Sequence, residues 1–110
     1  MTKTTPEIRA QQLFCYSQLT PLCRVESPEW FVWLETATAF RYLSALRRDV
    51  YRGQGPLLAP VSFRKEQRRQ TQLWYAYRRA YGILHKRYVG NSAALTLQKL
   101  EDVTLWLNEV

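Results

Sequence analysis

Arginines and lysines grouped in the second half of this sequence are the residues best suited to chemistry. Residues 41 to 90 contain 12 basic residues and only two acids, Asp49 and Glu66. Most of these cations fall in three neighbouring segments: Arg64, Lys65, Arg68, Arg69, Arg78, Arg79, Lys86 and Arg87. A cluster of this kind attracts polyanions, because each phosphate that it neutralises releases condensed counterions. We therefore expect nucleic acid as the partner and no membrane binding.

Catalytic and metal-binding patterns are missing from the sequence. The only histidine, His85, has no acid close to it in sequence to orient it, so no Ser-His-Asp triad is predicted. With Cys15 and Cys23 as the only cysteines, the usual tetrahedral zinc site cannot be assembled from one chain. The glycines at 53 and 55 lack the following residues of a nucleotide-binding loop. We expect no enzyme activity, no cofactor and no metal.

The expected location is the cytoplasm. Two cysteines do not make the disulfide framework of a small secreted domain. The first 30 residues lack an apolar run of signal-peptide length, and no stretch approaches the roughly 20 apolar residues that span a bilayer.

Two helices are expected in the first third of the chain. Thr5, Pro6 and Glu7 suit the start of a short helix over residues 5 to 19, although its apolar pattern is poor. Ser27 and Pro28 open a clearer one, predicted over residues 28 to 37. Its apolar residues recur at i, i+3, i+4 and i+7: Trp30, Trp33, Leu34 and Ala37.

Strands dominate the remainder. We predict a first strand around residues 39 to 43, then strands at 61 to 69, 72 to 80 and 83 to 89, on the basis of alternating, aromatic and β-branched residues. A basic loop at residues 44 to 60 separates the first from the others. A final amphipathic helix is predicted over residues 95 to 108.

These elements indicate an α+β fold. A three- to four-stranded antiparallel meander would pack against the C-terminal helix, with the Trp-rich helix preceding it. Residues 1 to 26 would form an N-terminal arm, and residues 27 to 110 a single nucleic-acid-binding domain.

The turn at Tyr81 and Gly82 decides which side chains share a face of this sheet, because side chains alternate along a strand. With Trp74 and Ala76 facing the core, the outward residues are Tyr75, Tyr77 and Arg79. A two-residue loop would group these with Lys86 and Tyr88, whereas a three-residue loop would group them with His85, Arg87 and Val89. Both alternatives stay open at this stage.

The predicted nucleic-acid contacts combine the cations of the three strands, nearby rings and the arginines of the loop. Arginine side chains reach base edges, while lysine and tyrosine hold phosphates. The full set is Arg64, Lys65, Arg68, Arg69, Tyr75, Tyr77, Arg78, Arg79, His85, Lys86 and Arg87, with Arg47, Arg48 and Arg52 from the loop.

Two known families share parts of this pattern. The runs 62–69, 73–79, 82–90 and 95–97, with 27–34 upstream, resemble a segment near the N-terminus of large ATP-dependent bacterial transcriptional regulators with LuxR-type C-terminal domains. We find in this sequence neither their nucleotide-binding domain nor a LuxR-type helix-turn-helix. More loosely, the order of strand, turn, strand, a Gly-Leu-Thr segment and a helix is similar to that of the AP2-like arm domain of tyrosine recombinases. In that family the sheet enters the major groove. That similarity implies groove contacts around 64–69, 75–79 and 85–87.

The resulting hypothesis is a small basic module that binds double-stranded DNA through its sheet and acts as a transcription regulator or as an accessory subunit of a nucleoprotein complex. RNA is an alternative, since tyrosine and tryptophan on a sheet can stack unpaired bases. A second alternative is a protein-interaction adaptor that docks a partner through Trp30, Phe31 and Trp33. No oligomeric state is predicted.

Overall fold

The computed structural model describes residues 5–15, 19–44 and 58–109. Within these ranges lie seven strands, two α-helices and a short 3-10 helix. The strands are β1 Glu7–Arg9, β2 Gln12–Phe14, β3 Cys23–Arg24, β4 Ala39–Tyr42, β5 Val61–Arg68, β6 Thr71–Ala80 and β7 Ile83–Gly90. The helices are α1 Pro28–Thr36 and α2 Leu97–Asn108, and Ser92–Ala94 form the 3-10 turn before α2. Neither helix is long and apolar enough to cross a membrane.

All seven strands form one sheet in the order β3-β2-β1-β4-β5-β6-β7. The pairings are antiparallel except that of β1 with β4, which is parallel and makes the sheet mixed. The predicted meander of three to four antiparallel strands is therefore wrong. The additional strands come from residues 7–24, which had been expected outside the sheet.

The helix predicted over residues 5 to 19 is also wrong where the structure describes it. Ala10 and Gln11 both adopt positive φ, 51° and 64°, and close a two-residue turn between β1 and β2. Ile8 and Leu13 pair directly and are fully buried, whereas their strand neighbours point to the other face. This two-residue alternation explains why the apolar residues form no helical stripe.

The other predicted elements are confirmed within a few residues. The side chain of Ser27 accepts a hydrogen bond from the backbone N–H of Trp30 at the start of α1. Thr96 caps α2 in the same way, accepting from the N–H of Lys99. The four strands predicted after α1 correspond to β4 through β7.

Both helices pack on one side of the sheet, which we call the inner face. Its strands contribute a stack of rings in which Phe40 lies 5.0 Å from Phe63 and 5.3 Å from Trp74, centroid to centroid. Trp30 of α1 completes the cluster edge-on to Phe40 and donates its indole N–H to the backbone oxygen of Leu95 at 3.0 Å. This buried bond joins α1 to the segment that leads into α2 and satisfies the one polar atom of the ring.

The β6–β7 turn is the two-residue alternative. Ala80 pairs with Ile83, so only Tyr81 and Gly82 lie in the loop, with φ of 53° and 78°. Positive φ at both positions is the turn geometry that matches the twist of a hairpin. The three-residue loop is thereby wrong, and the register places Tyr77 opposite Lys86 and Tyr75 opposite Tyr88.

Candidate nucleic-acid interface

The sheet surface opposite the helices, which we call the outer face, collects basic side chains from every strand except β2. The alternation of side chains and the strand register place seven cations and two acids there. The cations are Arg9, Arg24, Arg41, Arg64, Arg68, Arg79 and Lys86, and the acids are Glu7 and Glu66. No described helix covers this face.

Tyrosine rings hold the cations at the centre of the outer face. The Lys86 ammonium lies 4.4 Å from the ring centroid of Tyr75 and 5.5 Å from that of Tyr77. The Arg68 guanidinium approaches the Tyr75 ring at 5.0 Å, and that of Arg64 approaches Tyr77 at 5.7 Å. These distances lie within the range of cation–π attraction, which orients each charge without neutralising it.

Glu66 sits inside this cationic group. One carboxylate oxygen lies 2.6 Å from the Arg68 guanidinium and 3.2 Å from the Lys86 ammonium. The side chains of these partners are 49% and 40% exposed, so both retain access to solvent. A single carboxylate thus links two strands, β5 and β7, across Tyr75 of β6 and leaves the group with excess positive charge.

The N-terminal strands extend the charged surface with residues that sequence reasoning missed. The Arg9 guanidinium lies 4.1 Å from the centroid of the Phe14 ring, and Arg41 lies 3.5 Å from a carboxylate oxygen of Glu7. The sequence offers only a weak signal for these strands: Ile8 lies between charged Glu7 and Arg9, but Leu13 is followed by apolar Phe14. Tyr88, 56% exposed, also joins the outer face and meets the Tyr75 ring edge-on.

Of the sequence-predicted contacts, six meet on the outer face: Arg64, Arg68, Tyr75, Tyr77, Arg79 and Lys86. Arg69 lies in the β5–β6 turn with φ of 56°. Arg47, Arg48 and Arg52 lie outside the described residues, as does most of the predicted basic loop.

Four predicted contacts project instead toward the helices. The Lys65 ammonium donates to the backbone oxygens of Leu34 and Glu35 at the end of α1, and burial lowers its pKa. Arg78 donates to the backbone oxygen of Leu107 near the end of α2. Cations at these positions complement the helix dipoles.

Arg87 and His85 belong to the same inner side. The Arg87 guanidinium lies 4.2 Å from the centroid of the Trp106 ring of α2, and His85 pairs in register with Arg78. Arg87 is thus placed to hold α2 on the sheet. The charge of the predicted contacts is therefore divided between the two faces by strict alternation.

The Trp-rich helix presents only part of the surface expected of it. Trp30 is fully buried, while Phe31 and Trp33 are half-buried against the core. Beside them an open groove of about 410 Å³ is lined by Leu22, Pro28, Glu29, Val32 and Trp33.

The described ranges contain no group of three or more histidine, cysteine or acidic side chains placed to hold a metal. Cys15 and Cys23 are free thiols, and burial raises the pKa of both.

In comparisons with protein-family models, curated proteins and solved structures, no match to this chain was found.

Proposed function

We propose that this protein binds nucleic acid, double-stranded DNA foremost, through the outer face of its sheet. The observation that carries the proposal is the segregation of charge: seven cations and two acids share one face that no described helix covers. An ordinary solvated face would intersperse both signs of charge. A net positive charge on one face favours binding of a polyanion, because the bound polyanion releases its condensed counterions.

The cations packed against the rings of Tyr75 and Tyr77 favour phosphate contacts over stacking of unpaired bases. Two cations lie against the Tyr75 ring, and two lie against that of Tyr77. Stacking requires a free ring face, so a base would have to displace these cations. The rings act better as supports that aim Arg64, Arg68 and Lys86 at a phosphate backbone.

Dimensions support a duplex arranged across the sheet. Seven strands at about 4.8 Å spacing make the outer face roughly 29 Å wide, far wider than the major groove at about 12 Å. The face as a whole must therefore lie across the phosphate backbone.

One end of the sheet is narrow enough for the groove. The pairing of β4 with β5 ends at Arg64, and that of β7 with β6 ends at Trp74, so residues 66–72 form a two-stranded ribbon. A two-stranded ribbon matches the major groove. Residues Gln67 to Gln72 are all exposed and polar. This ribbon supplies the arginine and glutamine side chains suited to guanine and adenine edges.

The proposed role is that of a non-catalytic binding module, a regulator or an accessory subunit of a nucleoprotein complex. Fluorescence anisotropy with a labelled 20-base-pair duplex, the corresponding single strand and an RNA of the same sequence tests it. Each titration is repeated from about 50 to 200 mM salt, where several phosphate contacts change affinity by orders of magnitude.

Tightest binding to the duplex, with a steep loss of affinity as salt rises, is the expected result. Tighter binding to RNA would assign the face to single strands. Absence of binding to all three ligands at about 50 mM salt would refute the proposal, because phosphate contacts are strongest there.

A further inference from the structure

The tip of the β6–β7 hairpin carries an unusual apolar group, which we call the knob: Tyr81, Gly82, Ile83 and Leu84. Tyr81 is 98% exposed, Ile83 61% and Leu84 52%. Tyr81 also adopts φ of 53°, a left-handed conformation that costs a side-chain-bearing residue about 1–2 kcal/mol and that asparagine tolerates better. An aromatic residue held in a strained turn with nothing to pack against contributes no stability to the isolated chain. A tyrosine ring this exposed, at a turn position that suits asparagine or glycine, points to a contact outside the chain.

A second apolar site lies at the other end of the sheet, in the groove beside α1. Val32 is 65% exposed and Leu22 53%, and Trp33 and Pro28 complete the lining. The groove, about 410 Å³, has room for a tyrosine side chain and its neighbours. Leu22 adjoins β3, the edge strand opposite β7, so groove and knob lie at the two ends of the strand order.

The charges around the two sites are complementary. Glu29 lines the groove, and Glu35 lies exposed six residues further along α1. The knob is flanked by exposed Arg79 and Lys86. Pairing knob with knob, or groove with groove, would bring like charges together. Knob into groove brings opposite charges together and covers apolar surface on both sides.

We infer that the partner of the groove is the knob of a second copy of this chain. The contact is heterologous: each copy offers its knob to one neighbour and its groove to another, so the assembly grows head to tail unless the rotation closes it into a ring. Because one hairpin tip buries far less than the about 1,200 Å² of a stable interface, the association is weak and transient. It needs no nucleic acid and stands independently of the proposed DNA binding.

Sedimentation velocity of the purified chain from about 10 µM to 1 mM, a range chosen for weak interfaces, tests the inference without DNA. The sedimentation coefficient of the unsubstituted chain, the parent, should increase as its concentration rises. Tyr81→Asn removes the aromatic ring while relieving the strained turn, so it leaves folding intact. Val32→Lys, at an exposed helix position, adds a charge that repels Arg79. Leu105→Lys replaces an exposed leucine of α2 outside both sites and serves as the matched control.

Each of the first two variants alone should stay monomeric at every concentration, whereas the control assembles as the parent does. Their equimolar mixture decides the geometry, because one copy keeps its groove and the other its knob. The mixture should form 1:1 dimers and nothing larger. A monomeric parent, assembly by the Val32→Lys or Tyr81→Asn chain alone, or a mixture that stays monomeric would each overturn the inference.

Discussion

Lys86 and Arg87 offer a sharp test of which face binds DNA, because they are adjacent in β7 and point to opposite sides of the sheet. Lys86 lies in the tyrosine-supported group of the outer face, and Arg87 stacks on Trp106 of α2. Replacing each by alanine removes the same charge from the same strand. A protein attracted to DNA by net charge alone would respond equally to both changes.

The expected cost of Lys86→Ala follows from one lost phosphate contact. A contact contributes about 0.9 to the slope of log K against log salt, which at 0.1 M salt is about eightfold in affinity, or about 1.2 kcal/mol. Removal of Lys86 also leaves Glu66 with Arg68 as its one ion-pair partner among the described residues, so the acid becomes more repulsive to phosphate. We therefore expect at least an eightfold loss and a shallower salt dependence.

Anisotropy with the labelled duplex at four or more salt concentrations gives both quantities. Arg87→Ala should leave the slope unchanged and cost less than twofold in affinity, with about 0.5–1 kcal/mol lost from the free energy of unfolding. Urea unfolding of both variants separates folding from binding. Equal losses of affinity in the two variants, or an unchanged slope in Lys86→Ala, would refute the assignment of binding to the outer face.

Two further changes have predictable signs. Glu66→Gln removes the acid that pairs with Arg68 and Lys86 on the outer face. A unit negative charge about 7 Å from a phosphate costs roughly 0.6 kcal/mol in water, so we expect the affinity for the duplex to rise about threefold in the same titration. A decrease in affinity would show instead that the ion pairs organise the face. Burial, and then the hydrogen bond to Glu101, raises the pKa of the Tyr42 hydroxyl far above its usual value. The contribution of this group to the free energy of unfolding is therefore complete below the unfolded-state pKa of about 10, and it is lost as pH rises beyond that value. The free energy of unfolding of the parent, measured in urea from pH 9 to 11.5, should fall more steeply than that of Tyr42→Phe by about 1.4 kcal/mol per pH unit above pH 10, and parallel curves would contradict this.

The elements predictable from the sequence are those with strong local signals. Val61 and Phe63 alternate in β5, Trp74 and Ala76 do so in β6, and Gly82 supplies the turn. Ser27 and Pro28 mark the start of α1. In each case the residues that determine the element are neighbours in the chain, so the pattern is visible without the tertiary structure.

Strands β1 to β3 lack such signals because they have only two or three residues each. Their structure depends on pairing with distant segments, such as Glu7 beside Arg41, which local propensity does not encode. Pro6 and Glu7 suit a helix start equally well, and the nonlocal pairing overrides that preference.

The residues of the outer face could be predicted in strands where a core-facing side chain shows which of its neighbours point outward. Trp74 and Ala76 facing the core place Tyr75, Tyr77 and Arg79 outward, as expected. The same rule applied to Phe63 would have turned Lys65 inward. The placement of Lys86 and Arg87 required the register of the β6–β7 turn, which the sequence left between two alternatives.

The parallel pairing of β1 with β4 has a consequence for the order of folding. Glu7 and Arg41 lie 34 positions apart, whereas the β5–β6 and β6–β7 hairpins close through two-residue turns. Closing the longer loop costs more chain entropy, so the hairpins form early and β1 joins the sheet late. β1 therefore gains its place beside β4 only after this nonlocal pairing has closed.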